Sequence, residues 1–152
     1  MEIRCFTKND AAKVKALVVS VLKEEFPDAQ AAYPVQDLDN ISAVYGGQRE
    51  RFYVIEDGND IVATVGVKED SKLSALLRRL FVNSKYRGRG LGSKLVDAAI
   101  KFCKEEGYHE LVLRSTHQMK QANDLCKKKG FKVEADLNFG GVEILKYVLK
   151  LK

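Results

Sequence analysis

The chain has 152 residues, 45% of them hydrophobic and 31% charged, a globular mix that can bury a core and that excludes a disordered or fibrous protein. Its net charge of +5 suits an anionic ligand. The cations are dispersed and no nucleic-acid-binding signature is present, so no nucleic-acid partner is expected.

Glu2 to Phe6 alternates as a first strand does. Thr7 and Asp10 are spaced like a capping box ahead of a helix running to about Phe26, with Val14, Leu17, Val18, Val21 and Leu22 as its buried stripe. Pro27 stops it, and residues 27–50 are irregular around a short helix suggested by Leu38, Ile41, Val44 and Tyr45. Arg51 to Glu56 and Ile61 to Lys68 read as a hairpin across Asp57-Gly58-Asn59-Asp60, and Leu73 to Val82 as a further strand. A helix from about Gly90 to Glu106 aligns Leu91, Leu95, Val96, Ala99, Phe102 and Cys103, and Gly107 ends it. Leu111 to Arg114 is a short buried strand, and Gln118 to Lys129 a helix ended by Gly130. Phe131 to Ala135 and Val142 to Leu149 close the chain as strands around a turn at Asn138 to Gly141. The order β-α-α-β-β-β-α-β-α-β-β, without repeat or linker, is that of one mixed α/β domain over residues 1–152. The crossover helix makes the strands on either side of it parallel neighbours.

Cys5, Cys103 and Cys126 are odd in number and widely spaced, so they imply no disulfide framework, and they form no metal site with His109 or His117. Residues 16–22 are too short a run to span a bilayer, and the charged N-terminal residues lack the apolar core of a signal peptide. A cytoplasmic, reducing location with no membrane partner is the expectation.

Residues 80–93, Leu-Phe-Val-Asn-Ser-Lys-Tyr-Arg-Gly-Arg-Gly-Leu-Gly-Ser, carry the chemistry. A strand enters a loop of alternating glycines and a helix leaves it. Gly88, Gly90 and Gly92 let the main chain approach a ligand closely, and the unpaired first-turn N–H groups with the helix dipole favour an anion. Arg87, Arg89 and Lys94 add charge, so a pyrophosphate is a natural occupant. The spacing fits neither a P-loop nor a dinucleotide fingerprint.

Arg87-Gly88-Arg89-Gly90-Leu91-Gly92 has the pattern Arg/Gln-x-x-Gly-x-Gly/Ala. With Leu125-Cys126-Lys127-Lys128-Lys129-Gly130-Phe131 and the strand Arg79-Leu80-Phe81-Val82, it resembles the GNAT superfamily of N-acetyltransferases over essentially the whole chain. The resemblance implies a central twisted mixed sheet flanked by helices, with two parallel strands splayed apart. It implies acetyl-coenzyme A as acyl donor and a small-molecule or peptide amine as acceptor. Main-chain groups of Leu80, Phe81 and Val82 would hold the pantetheine arm. Arg87, Gly88, Arg89, Gly90, Leu91, Gly92 and Ser93 would hold the pyrophosphate, with Lys127 or Lys128 at the adenosine end.

The implied chemistry is direct attack of a neutral amine on the thioester, with proton removal by a base and main-chain polarisation of the carbonyl. The family tyrosine taken as the general acid aligns with Cys126, which reads either as that acid or as a small buried residue. Where some members carry a glutamate base, this chain has Arg78, which stays protonated and would instead bind an acidic group of the substrate or face solvent. His117 is the candidate base, and Glu50, Glu56 and Glu134 are weaker ones. Tyr33, Tyr45 and Arg49 are candidates for acceptor contact. A non-catalytic acyl-coenzyme A sensor is the alternative reading. Exposed strand edges leave a homodimer open.

Overall fold

The computed structural model describes residues 1–27 and 36–152. Seven strands form one sheet in the order β1-β2-β3-β4-β5-β7-β6. They are β1 (Glu2–Cys5), β2 (Arg51–Asp57), β3 (Asp60–Glu69), β4 (Ser74–Val82), β5 (Glu110–Ser115), β6 (Lys132–Phe139) and β7 (Val142–Lys150). Among the described residues four α-helices accompany them: α1 (Ala11–Glu25), α2 (Ile41–Val44), α3 (Leu91–Glu105) and α4 (Lys120–Lys128). The element order is the one the sequence implies. The largest difference is β6, which continues to Phe139 instead of stopping near Ala135.

The two long helices, α1 and α3, bury the stripes their periodicity marks. Val14, Leu17, Val18, Val21 and Leu22 of α1 join Phe52, Val54, Phe81 and Met119 in a core on one face of the sheet. Leu91, Leu95, Val96, Ala99, Phe102 and Cys103 of α3 join Val65, Val67, Leu77, Leu111 and Leu113 on the other. β3 is buried along nearly its whole length because both layers cover it. Asp10 reaches back to the Thr7 N–H at 2.8 Å and pairs with Arg4 at 2.7 Å, which fixes the entry to α1.

β4 and β5 are the parallel pair, as the α3 crossover requires. Their ladder covers only Ser74↔Glu110 to Leu77↔Leu113. β5 continues to Ser115 by pairing with β7, while β4 continues to Val82 along β3. The two strands therefore part beyond Leu77 and Leu113.

β4 also carries a bulge. Gly66 pairs with Arg78 and Thr64 with Phe81, so β4 has one residue more than β3 between them. Arg79 takes up the excess with φ +54°, a left-handed conformation uncommon for a side chain of its size. The bulge turns Leu80 towards the α3 core, while Phe81 lies in the α1 core.

Candidate functional site

The splay opens into a groove with two connected parts that share Leu80, Phe81, Met119 and Ala122. One part, of about 410 Å³, runs from β4 to the glycine loop. The other, of about 290 Å³, lies between β4 and the end of β5 and is reached by Arg78, Arg79 and Arg114.

The loop part is built for an anion. Gly88 and Gly90 have φ of +79° and +76°, and a side chain at either would point into open space. The first intrahelical bond of α3 runs from Lys94 N–H to the Gly90 carbonyl at 3.0 Å. The N–H groups of Leu91, Gly92 and Ser93 thus lack helical acceptors, and the dipole adds positive potential there. Gly92 sits in a tight spot: a Cβ would lie 3.0 Å from Leu125 Cδ2, so that side chain would have to shift slightly, and 3.7 Å from Val82 Cγ2.

Leu80, Phe81, Val82, Arg87, Gly88, Gly90, Leu91, Gly92 and Ser93 all line this part. Two of the expected residues do not. Arg89 stacks over the Tyr86 ring at 4.9 Å. Lys127 lies 5.9 Å from the Tyr147 ring, and the neighbouring Lys128 lines the groove instead. Arg87 contributes less free charge than expected, because its guanidinium is bidentate to Glu25 at the end of α1 (Nη2–Oε2 2.8 Å) and its Nε–H donates to the Val82 carbonyl at 3.2 Å.

The bulge is held from two sides. Thr64 Oγ1 donates to the Arg79 carbonyl at 2.8 Å. The Arg79 guanidinium is bidentate to Asp37, with Nε–H to Oδ2 at 3.0 Å, and both side chains are under a tenth exposed. Asp37 also accepts from the Tyr45 hydroxyl at 2.7 Å. Burial opposes ionisation of Asp37, but the Arg79 and Tyr45 hydrogen bonds and the Arg79 and Arg78 charges hold its carboxyl below the ordinary range. A trans peptide directs its C=O and N–H oppositely. Since the Arg79 carbonyl faces Thr64 on β3, the Leu80 N–H is directed away from β3, towards the gap.

The catalytic candidates read from the sequence do not meet at this site. Cys126 is fully buried in the α3 core and absent from both parts of the groove. Burial pushes its thiol up to about 12, which fits the small buried residue rather than the acid. His117 stands at the surface, its Nδ1 2.6 Å from Glu143 Oε2 and its N–H donating to Glu143 Oε1 at 2.8 Å, and it lines neither part of the groove. Glu50 is engaged by Lys68 at 2.8 Å and Glu56 by Arg4 at 3.2 Å, while Glu134 is exposed on β6. Among the described residues no carboxylate lines the groove.

The acceptor candidates fare similarly. Tyr45 is in the α1 core, and Arg49 packs over Tyr108 at 3.9 Å with Glu69 beside it. Tyr33 lies outside the described residues. Sequence reasoning missed Asp37 and Met119, which no motif marks. It also missed the Ser115–Asn123 hydrogen bond of 2.6 Å that joins the end of β5 to α4.

A splayed parallel pair, a bulged strand and a glycine loop opening a helix define an acyl-coenzyme A-binding fold. Residues 17–131 match the model of the acetyltransferase (GNAT) family, and the chain belongs to that family. Among curated relatives it is 28% identical over 131 residues to mouse "Probable N-acetyltransferase family 8 member 5", covering 83% of this chain and 57% of that one. To rat N-acetyltransferase 8 it is 34% identical over 101 residues, covering 62% of this chain and 46% of that one. The chain thus spans about half the length of the curated relatives it matches. In fold it is similar to a GNAT-family acetyltransferase from Staphylococcus aureus Mu50, with a TM-score of 0.82, 24% identity and 99% of each chain covered. It is likewise similar to YncA of Salmonella typhimurium, solved with its cofactor acetyl-CoA, with a TM-score of 0.82, 22% identity, and 100% of this chain and 94% of that one covered. None of the described helices is long and apolar enough to cross a membrane.

Proposed function

We propose that this chain is an acetyl-coenzyme A-dependent N-acetyltransferase that transfers its acetyl group to a primary amine by direct attack. The observation that carries the reading is the gap between β4 and β5 lying next to the cavity of the glycine loop, the two sharing Leu80, Phe81, Met119 and Ala122 as walls. The thioester would supply an activated acyl carbonyl. Main-chain groups of Leu80 to Val82 would hold the pantetheine arm, and the Gly88–Ser93 backbone with Lys128 would hold the phosphates. The Leu80 N–H, aimed away from Thr64, would stabilise negative charge developing on the carbonyl oxygen. The side chains of Arg89 and Lys127, which stand outside the groove, and Cys126 and His117, which line no part of it, have no role in this reading. With no carboxylate lining the groove among the described residues, the amine would arrive neutral, and the proton it loses would pass through water to the departing thiolate as the C–S bond breaks.

The same groove would serve a non-catalytic sensor, but the N-acetyltransferases among its relatives favour turnover. Thermal unfolding with and without acetyl-coenzyme A tests the donor site: saturation to 100 times Kd adds about 2.7 kcal/mol of stability. Amine-dependent release of free thiol tests transfer. A thermal shift without thiol release from any amine would leave only the sensor, and no shift at millimolar donor would remove both readings.

A further inference from the structure

The part of the groove beside the bulge is cationic in a way the donor does not use. Arg78 and Arg79 on β4 and Arg114 on β5 line it, together with apolar Leu76, Phe81 and Met119. Among the described residues no aspartate or glutamate lines it. Arg79 is neutralised by Asp37. Arg78 and Arg114 form no ion pair among the described residues. Arg78 is half-buried, with its guanidinium 5.9 Å from the centre of the Tyr45 ring, and Arg114 is exposed at the rim. Arg114 is paired in register with Lys146 of β7, so another cation stands beside it on the same face.

Two guanidinium groups that line one small cavity, neither in an ion pair among the described residues, repel a cationic diamine and attract a carboxylate. Guanidinium is the side chain best matched to a carboxylate, because its parallel N–H groups fit both oxygens. At about 290 Å³ the space suits a compact molecule, and it joins the donor groove at Leu80 and Phe81.

Resting on the N-acetyltransferase reading, we propose that the acceptor is a small α-amino acid or its derivative, its carboxylate held by Arg78 and Arg114 while its amine faces the donor groove. The repulsion disfavours polyamines, for which the described residues of the cavity offer no carboxylate as counter-charge.

The test compares amino acids with their decarboxylated amines and their carboxamides, as L-phenylalanine, 2-phenylethylamine and L-phenylalaninamide, with equivalent sets built on methionine, lysine and glutamate. Thiol release with acetyl-coenzyme A should favour the free acid within at least one set by roughly 10- to 100-fold in kcat/KM, the range of a charge-assisted hydrogen bond. Arg78→Gln and Arg114→Gln should each narrow that ratio, Arg78→Lys should restore part of it, and Lys101→Gln on the exposed side of α3 should leave it alone. Binding of the N-acetylated acids and their amides by calorimetry gives a second readout that needs no turnover, and the acids should bind more tightly. Equal or better use of the amines or amides, or equal binding of acid and amide products, overturns the proposal while the thermal shift with acetyl-coenzyme A still upholds the donor site.

Discussion

The Thr64 hydroxyl donates to the Arg79 carbonyl at 2.8 Å, and that bond aims the peptide between Arg79 and Leu80. β3 thereby sets the direction of an N–H group on β4 that points the other way, into the gap.

Thr64→Val keeps the shape of the fully buried side chain and removes the donor. Loss of the bond should cost about 1–2 kcal/mol of stability. Because the Leu80 N–H then loses its orientation, kcat for acetyl transfer should fall by roughly 10-fold or more, in the direction seen when an oxyanion donor is weakened. Unfolding curves and steady-state rates on the same preparation check both. An unchanged kcat beside lowered stability would mean the peptide holds its aim without Thr64.

Gly90→Ala meets no neighbour, but it places a side chain at φ +76° and costs about 1 kcal/mol of backbone strain. The methyl group would project into the space left open for phosphate, so the acetyl-coenzyme A Kd should rise by roughly tenfold, equivalent to about 1.4 kcal/mol. Calorimetric titration measures it, and an unaltered Kd would detach this loop from donor binding.

Acid stability should depend on Asp10. The Arg4 hydrogen bond, outweighing burial and aided by the Thr7 N–H, lowers its carboxyl from 3.8 to about 2. A carboxyl depressed in the folded state stabilises above its unfolded pKa and loses that contribution as pH falls through the folded one. Wild type should therefore exceed Asp10→Asn by at most about 2 kcal/mol above pH 4, with the gap closing towards pH 2. Urea unfolding across that range checks the sign; a gap that widens in acid would refute the assignment to Asp10.

Thiol labelling should separate the cysteines by burial. Cys5 is exposed, whereas Cys103 and Cys126 are buried with thiols pushed up to about 12. An aromatic disulfide reagent should titrate one thiol rapidly in the native chain and all three after denaturation. Fast native labelling at Cys126 would instead show that this thiol opens to the groove.

The parts of this fold legible in the sequence are those that local chemistry writes. The stripes of α1 and α3 follow from a 3.6-residue period, and the loop from three glycines at alternate positions. What was hidden depends on partners far along the chain. An arginine in the left-handed region carries no local signal, because its conformation is held by Asp37, 42 residues away, and by Thr64. Arg87 reads as a phosphate ligand until folding brings Glu25 beside it from 62 residues away. Cys126 occupies a family position, but the burial that removes it from the groove is a property of packing.

The Asp37–Arg79 pair has a further consequence for how this chain can vary. Asp37 lies in a short 3-10 turn, Gln36–Asp39, just ahead of α2, where a change of sequence would look harmless to the sheet. It nevertheless clamps the residue that bends β4, so a change of sequence there alters the acylating end of the groove as well as the accepting end. Drift in acceptor choice and loss of transfer are thereby yoked together. New specificities in this lineage would be expected to arise from positions such as Arg78 and Arg114, which touch the cavity without holding the bend.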